Sequence, residues 1–258
     1  MLVPQTVSKE VSDEITRIQR RGYFIDRGSE EYLRIDRKLR QLVKSDPPAA
    51  YWMLGALAAY AGDIDGMHAN YKNAMRLSSN PLLRANYLIT QVNLGYFSVV
   101  AKELSFLEKP ENGQLENAVL LNTECARFAA ALRVIKKWNE LHQDCPWDEA
   151  GHDTLQQAAA VVQDAKIDDD AFLPSLDVIG ETLRNHGLIF IREPVLKVLD
   201  EDGKKSISFR LLVNVPARTA AEIESEIVDR FFDLDVTLNE STIRFGLIAA
   251  QELVKQAA

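Results

Sequence analysis

From the start of the chain to about residue 186, apolar residues recur at spacings of three and four, and glycine and proline are scarce. This is the period of helices with one buried face, and no alternating run interrupts it. Val7, Val11, Ile15 and Ile18 form a first stripe that ends near Gly22, where the missing side chain suits a helix C-cap. Tyr32, Ile35, Leu39, Leu42 and Val43 form a second, which stops before Pro47-Pro48 because proline disfavours helical geometry in the residue ahead of it. Short helices joined by tight turns pack as antiparallel hairpins.

The next stretch, AAYWMLGALAAYAGDIDGMHANYKNAMRLSSNP, carries a residue-specific pattern. It resembles a tetratricopeptide repeat (TPR). Leu54 and Gly55 match the Leu-Gly of the first repeat helix, Gly62 and Asp63 the turn, Tyr71 and Ala74 the large and small packing positions of the second helix, and Leu77 the approach to its end. Tyr51, Ala58 and Met67 depart from the family's usual Trp, Tyr and Ala. One repeat length on, PLLRANYLITQVNLGYFSVVAKELSFLEKP repeats the plan, with Tyr87, Leu88, Gly95, Tyr96, Phe97, Leu104, Leu107 and Pro110. A third unit follows, Leu120, Leu121 and Cys125 in its first helix and Phe128, Ala131, Ile135 and Trp138 in its second, with Ala126 in place of the turn glycine. The same period would fit an irregular bundle; the recurring turn register favours the repeat. Two further helices are expected over His152–Val162 and around Phe172, Leu176, Ile179 and Leu183, ending at His186-Gly187.

After Gly187 the period changes to two. Leu188–Ile191 reads as a short buried strand, with Pro194 at a bulge or edge. Val195–Leu199 and Ser206–Val215 flank the polar turn Asp200–Lys205 as a hairpin. Thr219-Ala220-Ala221-Glu222 has capping-box spacing at the start of a helix lined by Ile223, Ile227 and Phe231, and Ile243, Phe245 and Leu247 alternate in a closing strand. The expected fold is thus α+β: an all-α, TPR-like hairpin array over residues 1–186, then a small two-layer α/β sandwich over 187–258.

The net charge of −8 is concentrated late: residues 151–258 hold nineteen Asp/Glu against eleven Lys/Arg. Such a field repels phosphate backbones and favours a basic protein partner. The start lacks a basic, apolar leader and no apolar run is long enough to span a bilayer, so the expectation is a cytoplasmic protein, off the membrane, with Cys125 and Cys145 as free thiols. The one basic cluster, Arg34, Arg37, Lys38 and Arg40, spreads around a helix where Glu30 can pair with Arg34, and reads as a solvated face.

Chemistry-bearing patterns are sparse. His68, His142, His152 and His186 have no metal-ligand spacing, and no phosphate loop, dinucleotide fingerprint or nucleophile elbow occurs. Asp168-Asp169-Asp170 is read as complementing a helix dipole rather than gathering a cation. No catalytic residue, metal or cofactor is therefore assigned. The resemblance implies a non-catalytic adaptor or scaffold holding a protein or peptide in a groove, with an acidic C-terminal contact domain. Asn70, Asn73, Asn86 and Asn93 are candidate groove residues, because TPR-like grooves use polar side chains of first helices to hold a peptide backbone; Asn70 and Asn73 fall on a second helix. The alternatives are an immunity- or antitoxin-like inhibitor masking a basic toxin or nuclease, and an enzyme with its site between the domains. An uncapped last repeat or an open sheet edge would permit a homodimer.

Overall fold

The computed structural model describes residues 4–147, 152–191, 193–234, 236 and 242–250. Its first part is a run of antiparallel helices: α1 (Pro4–Arg21), α2 (Glu30–Leu42), α3 (Pro47–Ala59), α4 (Ile64–Leu77), α5 (Pro81–Asn93), α6 (Phe97–Ala101), α7 (Leu115–Glu124), α8 (Phe128–Leu141), α9 (His152–Asp164) and α10 (Leu173–Asn185). Starts are set by caps. Ser29, Asp46, Asp63 and Asn80 each accept a hydrogen bond from a first-turn amide, and Pro47 and Pro81 occupy helix starts where no amide donor is required.

Ends are set by one recurring turn. At Gly62, Gly95, Ala126, Lys166 and Gly187 the backbone turns left-handed, and in each case the same two bonds close the helix. Asp63 N–H reaches the Ala58 carbonyl while Gly62 N–H reaches Ala59; Arg127 and Ala126 repeat this on Asn122 and Thr123. These are Schellman closures. Ala126 holds the same conformation as the glycines before it despite its Cβ, with φ of 55°.

Helices α1 to α6 and α7 to α9 pack on their neighbours in the chain, and the first helices α1, α3, α5 and α7 also touch in sequence, as an inner row. Gly55 explains the closeness of α3 and α4: a Cβ there would lie 2.6 Å from the Tyr71 ring. The second hairpin departs from expectation. Its second helix stops after α6, and Leu104–Phe106 and Pro110–Asn112 continue as single 3₁₀ turns, which still bury Leu104 and Leu107. The space beside α6 is taken by α10. At that crossing Gly95 and Gly180 meet backbone to backbone: a Cβ on Gly180 would sit 2.2 Å from the Gly95 carbonyl oxygen. Arg184 donates to the Leu94 carbonyl and stacks 4.0 Å from the Tyr96 ring centroid, locking the contact.

The sheet is small and mixed. β1 (Val195–Glu201) and β2 (Lys204–Val213) are antiparallel around Asp202-Gly203, both left-handed as a two-residue hairpin turn requires. β3 (Ile243–Ala249) runs parallel to β2 after the crossover helix α11 (Ala217–Asp233), giving the order β1-β2-β3. Ile207, Phe209, Leu211 and Val213 of β2 are buried, and Phe209 meets Phe128 of α8 and Phe245 of β3. One hydrophobic interior runs from α5 to β3, and a second fills α1–α4. Tyr87 packs against both.

Three local expectations are corrected. Leu188–Ile191 is not a strand of the sheet; Tyr23 and Leu188 form an isolated bridge, and the segment is spent on helix ends, as described below. The capping box does not form: α11 starts at Ala217 behind Pro216, no side chain caps it, and Glu222 pairs with Arg218 instead. Arg34 pairs with Glu14 at 2.7 Å rather than with Glu30, because α1 lies alongside α2; Lys38 joins Glu10 and Glu14, and Arg40 joins Asp36. The basic cluster mostly fastens the first hairpin together. Val7 is within α1, but its side chain lies outside the described residues.

Two substitutions probe these closures. Lys166→Gly, at an exposed left-handed position, should raise stability by about 1 kcal/mol. Gly180→Ala should lower it by about 3 kcal/mol through backbone overpacking. Urea unfolding midpoints of both variants against the parent measure the two effects.

Candidate functional site

The inner row of helices leaves an open cleft of about 420 Å³. Each helix supplies one stripe at the helical period: Ser12, Thr16 and Gln19 from α1, Trp52, Ala56 and Tyr60 from α3, Asn86, Ile89 and Asn93 from α5, and Leu120 and Glu124 from α7, with Glu193 from the connector between α10 and β1. The core is carried by neighbouring stripes; Val11 and Ile18 of α1, for example, are buried in the interior shared with α2 and α3, and Ile15 both joins that interior and reaches the cleft floor. Amphipathic spacing that builds the core thus also lays a polar-aromatic surface along the cleft.

At one end two residues of the cleft, Gln19 and Asn93, also hold the chain's own backbone. Ile189 N–H donates to the Gly22 carbonyl, Phe190 N–H to the Asn93 carbonyl, and Gln19 Nε2 to the Phe190 carbonyl at 2.8 Å. Leu188, Ile189 and Phe190 are buried in the process. A connecting segment is held here by a polar side chain of a first helix and by carbonyls at helix ends.

Behind the lining lies a hydrogen-bonded layer. Tyr71 Oη and Thr90 Oγ1 are 2.7 Å apart, Thr90 Oγ1 donates to the Asn86 carbonyl, and Asn93 Nδ2 donates to Tyr60 Oη at 3.1 Å. Burial pushes the Tyr60 and Tyr71 phenols up, so both stay neutral hydroxyls. Glu124 and Glu14 are shielded in opposite ways. Glu14 is held low by Arg34, which donates to it, with Lys38 assisting, whereas Glu124 is pushed up to about 8 by burial, with the like charge of Glu193 adding to it. Among the described residues no hydrogen bond or ion pair reaches its carboxyl group; Arg192 lies outside them.

The four asparagines separate. Asn86 and Asn93 line the cleft. Asn70 donates to the Gly66 carbonyl and lines a hollow of about 330 Å³ toward α2, whose charges are already paired as Arg27–Asp63 and Arg40–Asp36. Asn73 is half-buried on α4 and lines neither. The packing residues Leu54, Gly55, Tyr71, Ala74 and Gly95 are buried, and Gly62 forms its turn. Sequence reasoning missed Gln19, Trp52, Tyr60, Glu124 and Glu193. Trp52 and Tyr60 were within reach, since they follow Ala56 and its neighbours at spacing four; Gln19, Glu124 and Glu193 have no local signal.

Other chemistry-bearing groups are accounted for locally. Asp169 accepts from the Ala129 and Ala130 amides at the start of α8, Asp168 from the Asp170 amide, and Asp170 pairs with Arg127. The acidic run thus serves a helix N-terminus, but that of α8 rather than that of the helix it precedes, whose start no side chain caps. His68 bonds Tyr87, His142 stacks on Trp138, His152 approaches Gln156 and His186 pairs with Glu226. Among the described residues no group of three or more His, Cys, Asp or Glu is placed to hold a metal, and no helix is long and apolar enough to cross a membrane.

The helical-array-plus-sheet architecture defines the class of protein: consecutive packed helices, compatible with a helical repeat array, followed by a small α/β unit. The chain finds no significant match among protein-family models, curated proteins or solved structures.

Glu124 yields a pH prediction. Its folded-state value lies above that of an unfolded glutamate, so its contribution is present at acid pH and is lost as pH rises toward 8. Glu124→Gln should therefore match the parent near pH 4–5 and exceed it by about 1–3 kcal/mol at pH 9, the full shift being tempered by the side chain's residual solvent contact. Urea midpoints across that range give the result.

Proposed function

We propose that this protein is a non-catalytic, TPR-like adaptor whose inner cleft holds an extended segment of a protein partner. The observation that carries the reading is the cleft's treatment of residues 188–190: Gln19 and the Asn93 carbonyl fix a non-helical backbone segment at one end, while Asn86, Trp52 and Thr16 line a surface beyond it. Polar side chains at helical spacing suit peptide carbonyls and amides, and Trp52 with Ile89 suits an apolar anchor. The turn register at Gly62, Gly95 and Ala126 and the Gly55–Tyr71 contact support TPR-like hairpins.

A second reading, an inhibitor masking a basic toxin or nuclease, draws on the acidic excess of residues 151–258 and on the carboxylates of the cleft. Salt separates the two. Cleft binding through backbone bonds and one or two ion pairs should weaken less than about tenfold for a tenfold rise in salt, whereas charge masking weakens far more steeply.

The test is selection of a displayed random-peptide library by the purified protein, with Thr16→Trp as the comparison. Thr16 is exposed on the cleft wall, so the indole fills the cleft without entering the core. The parent should enrich related sequences, and the variant should lose affinity for them by at least about tenfold while keeping its urea midpoint. Enrichment equal in both proteins, or none in the parent, would sink the cleft reading.

A further inference from the structure

We infer that the Glu124 end of the cleft receives a basic side chain, lysine or arginine, of the extended partner segment. This rests on the peptide-binding reading above and specifies the chemistry of one subsite.

Charge complementarity argues for that occupant. The described lining contains two carboxylates, Glu124 and Glu193, and no lysine, arginine or histidine. Every other element of the lining is neutral: hydroxyls of Ser12 and Thr16, amides of Asn86 and Asn93, and the rings of Trp52 and Tyr60. An adjoining hollow of about 350 Å³, sharing Leu120 and Glu193, adds the acid Glu116 and one titratable base, His152. The acidic path thus continues out of the cleft along the connector.

The chain partners its other shielded carboxylates. Glu14 holds Arg34 and Lys38, Asp169 holds two α8 amides, and Asp177 accepts the Ser98 amide. Glu124 sits one helical turn after Leu120 at the C-terminal end of α7, where helix carbonyls also favour a cation. Trp52 and Tyr60 line the same cleft and add aromatic surface along the path of the side chain's methylene stem. An acidic residue would meet the like charge of Glu193, and an apolar one would bring no cation to Glu124.

Glu124 must be ionised to hold a cation, and in the free protein it is held protonated at neutral pH by burial and by Glu193. Docking therefore releases a proton to solvent near pH 7, and affinity rises between pH 6 and 8.

The experiment is a positional-scanning octapeptide array probed with the full-length protein and with Glu124→Gln. The parent should enrich lysine or arginine at one position, and the variant should lose that preference by at least roughly tenfold while keeping the preferences at other positions. Calorimetry of the best peptide in buffers of different ionisation heat should show proton release that the variant lacks, and replacing the peptide's basic residue by norleucine should cost about as much as the variant does. Peptides bound without a basic preference, or a preference that survives in Glu124→Gln, would overturn the inference while leaving the peptide-binding reading intact. If no peptide binds, that reading itself fails. Spermidine displacing the peptide at equal concentration would assign the site to a free polyamine and overturn it too. Arg192→Ala should leave the preference unchanged; a preference seen only in that variant would make Arg192 the counter-ion and refute the proposal.

Discussion

Gly95 and Gly180 touch through their backbones, and much of the molecule's arrangement is tied to that contact. Gly95 is at once the left-handed closure of α5 and the seat of α10, a helix that begins nearly eighty positions later in the chain. Any Cβ on either residue would collide with the other's main chain. With α10 so close, Arg184 reaches the Leu94 carbonyl and Tyr96, and the chain leaves α10 at Gly187 directly beside the ends of α1 and α5. Residues 188–190 then have only one economical course, across those helix ends, where buried amides find the Gly22 and Asn93 carbonyls. The position of the sheet, and of Glu193 at the mouth of the cleft, follows.

The parts legible in the sequence were those fixed by local chemistry. Gly55 and Tyr71 are a spacing pair whose meaning is steric, and the structure places one ring where the missing Cβ would be. The turn register survives even at Ala126, because the neighbouring carbonyls of α7 still need the Schellman donors. The Asp-Gly hairpin turn and the Ile223–Ile227–Phe231 stripe are of the same kind. Where a choice depended on distant partners, local rules picked the wrong one. Glu30 is four residues from Arg34, but Glu14 is nearer once α1 folds back. A buried apolar run at 188–191 has the composition of a strand whichever backbone it meets, and here it meets helix ends. The second hairpin's last helix gives way to 3₁₀ turns beside α10, a neighbour that its own residues do not announce.

The cleft was half legible for the same reason. Asn86 and Asn93 sit on a first helix with the right spacing, so their stripe could be found; Gln19, Glu124 and Glu193 come together only through superposition of α1, α7 and the connector. In the proposed peptide-binding role the surface divides its labour: neutral amides and hydroxyls suit any peptide backbone, while the aromatic rings and the two acidic side chains of the lining are the parts suited to discriminate among side chains. The chain's own Phe190 carbonyl, held by Gln19, is an internal instance of the first part.

The central claim, that the row α1, α3, α5 and α7 forms the partner-binding surface, is tested most directly by amide chemical-shift mapping of the full-length protein with a saturating library-selected peptide. The account predicts that the largest changes fall at Thr16, Trp52, Asn86 and Glu124, one on each helix of the row. Changes confined to α11 and the sheet, with those four residues unmoved, would contradict it.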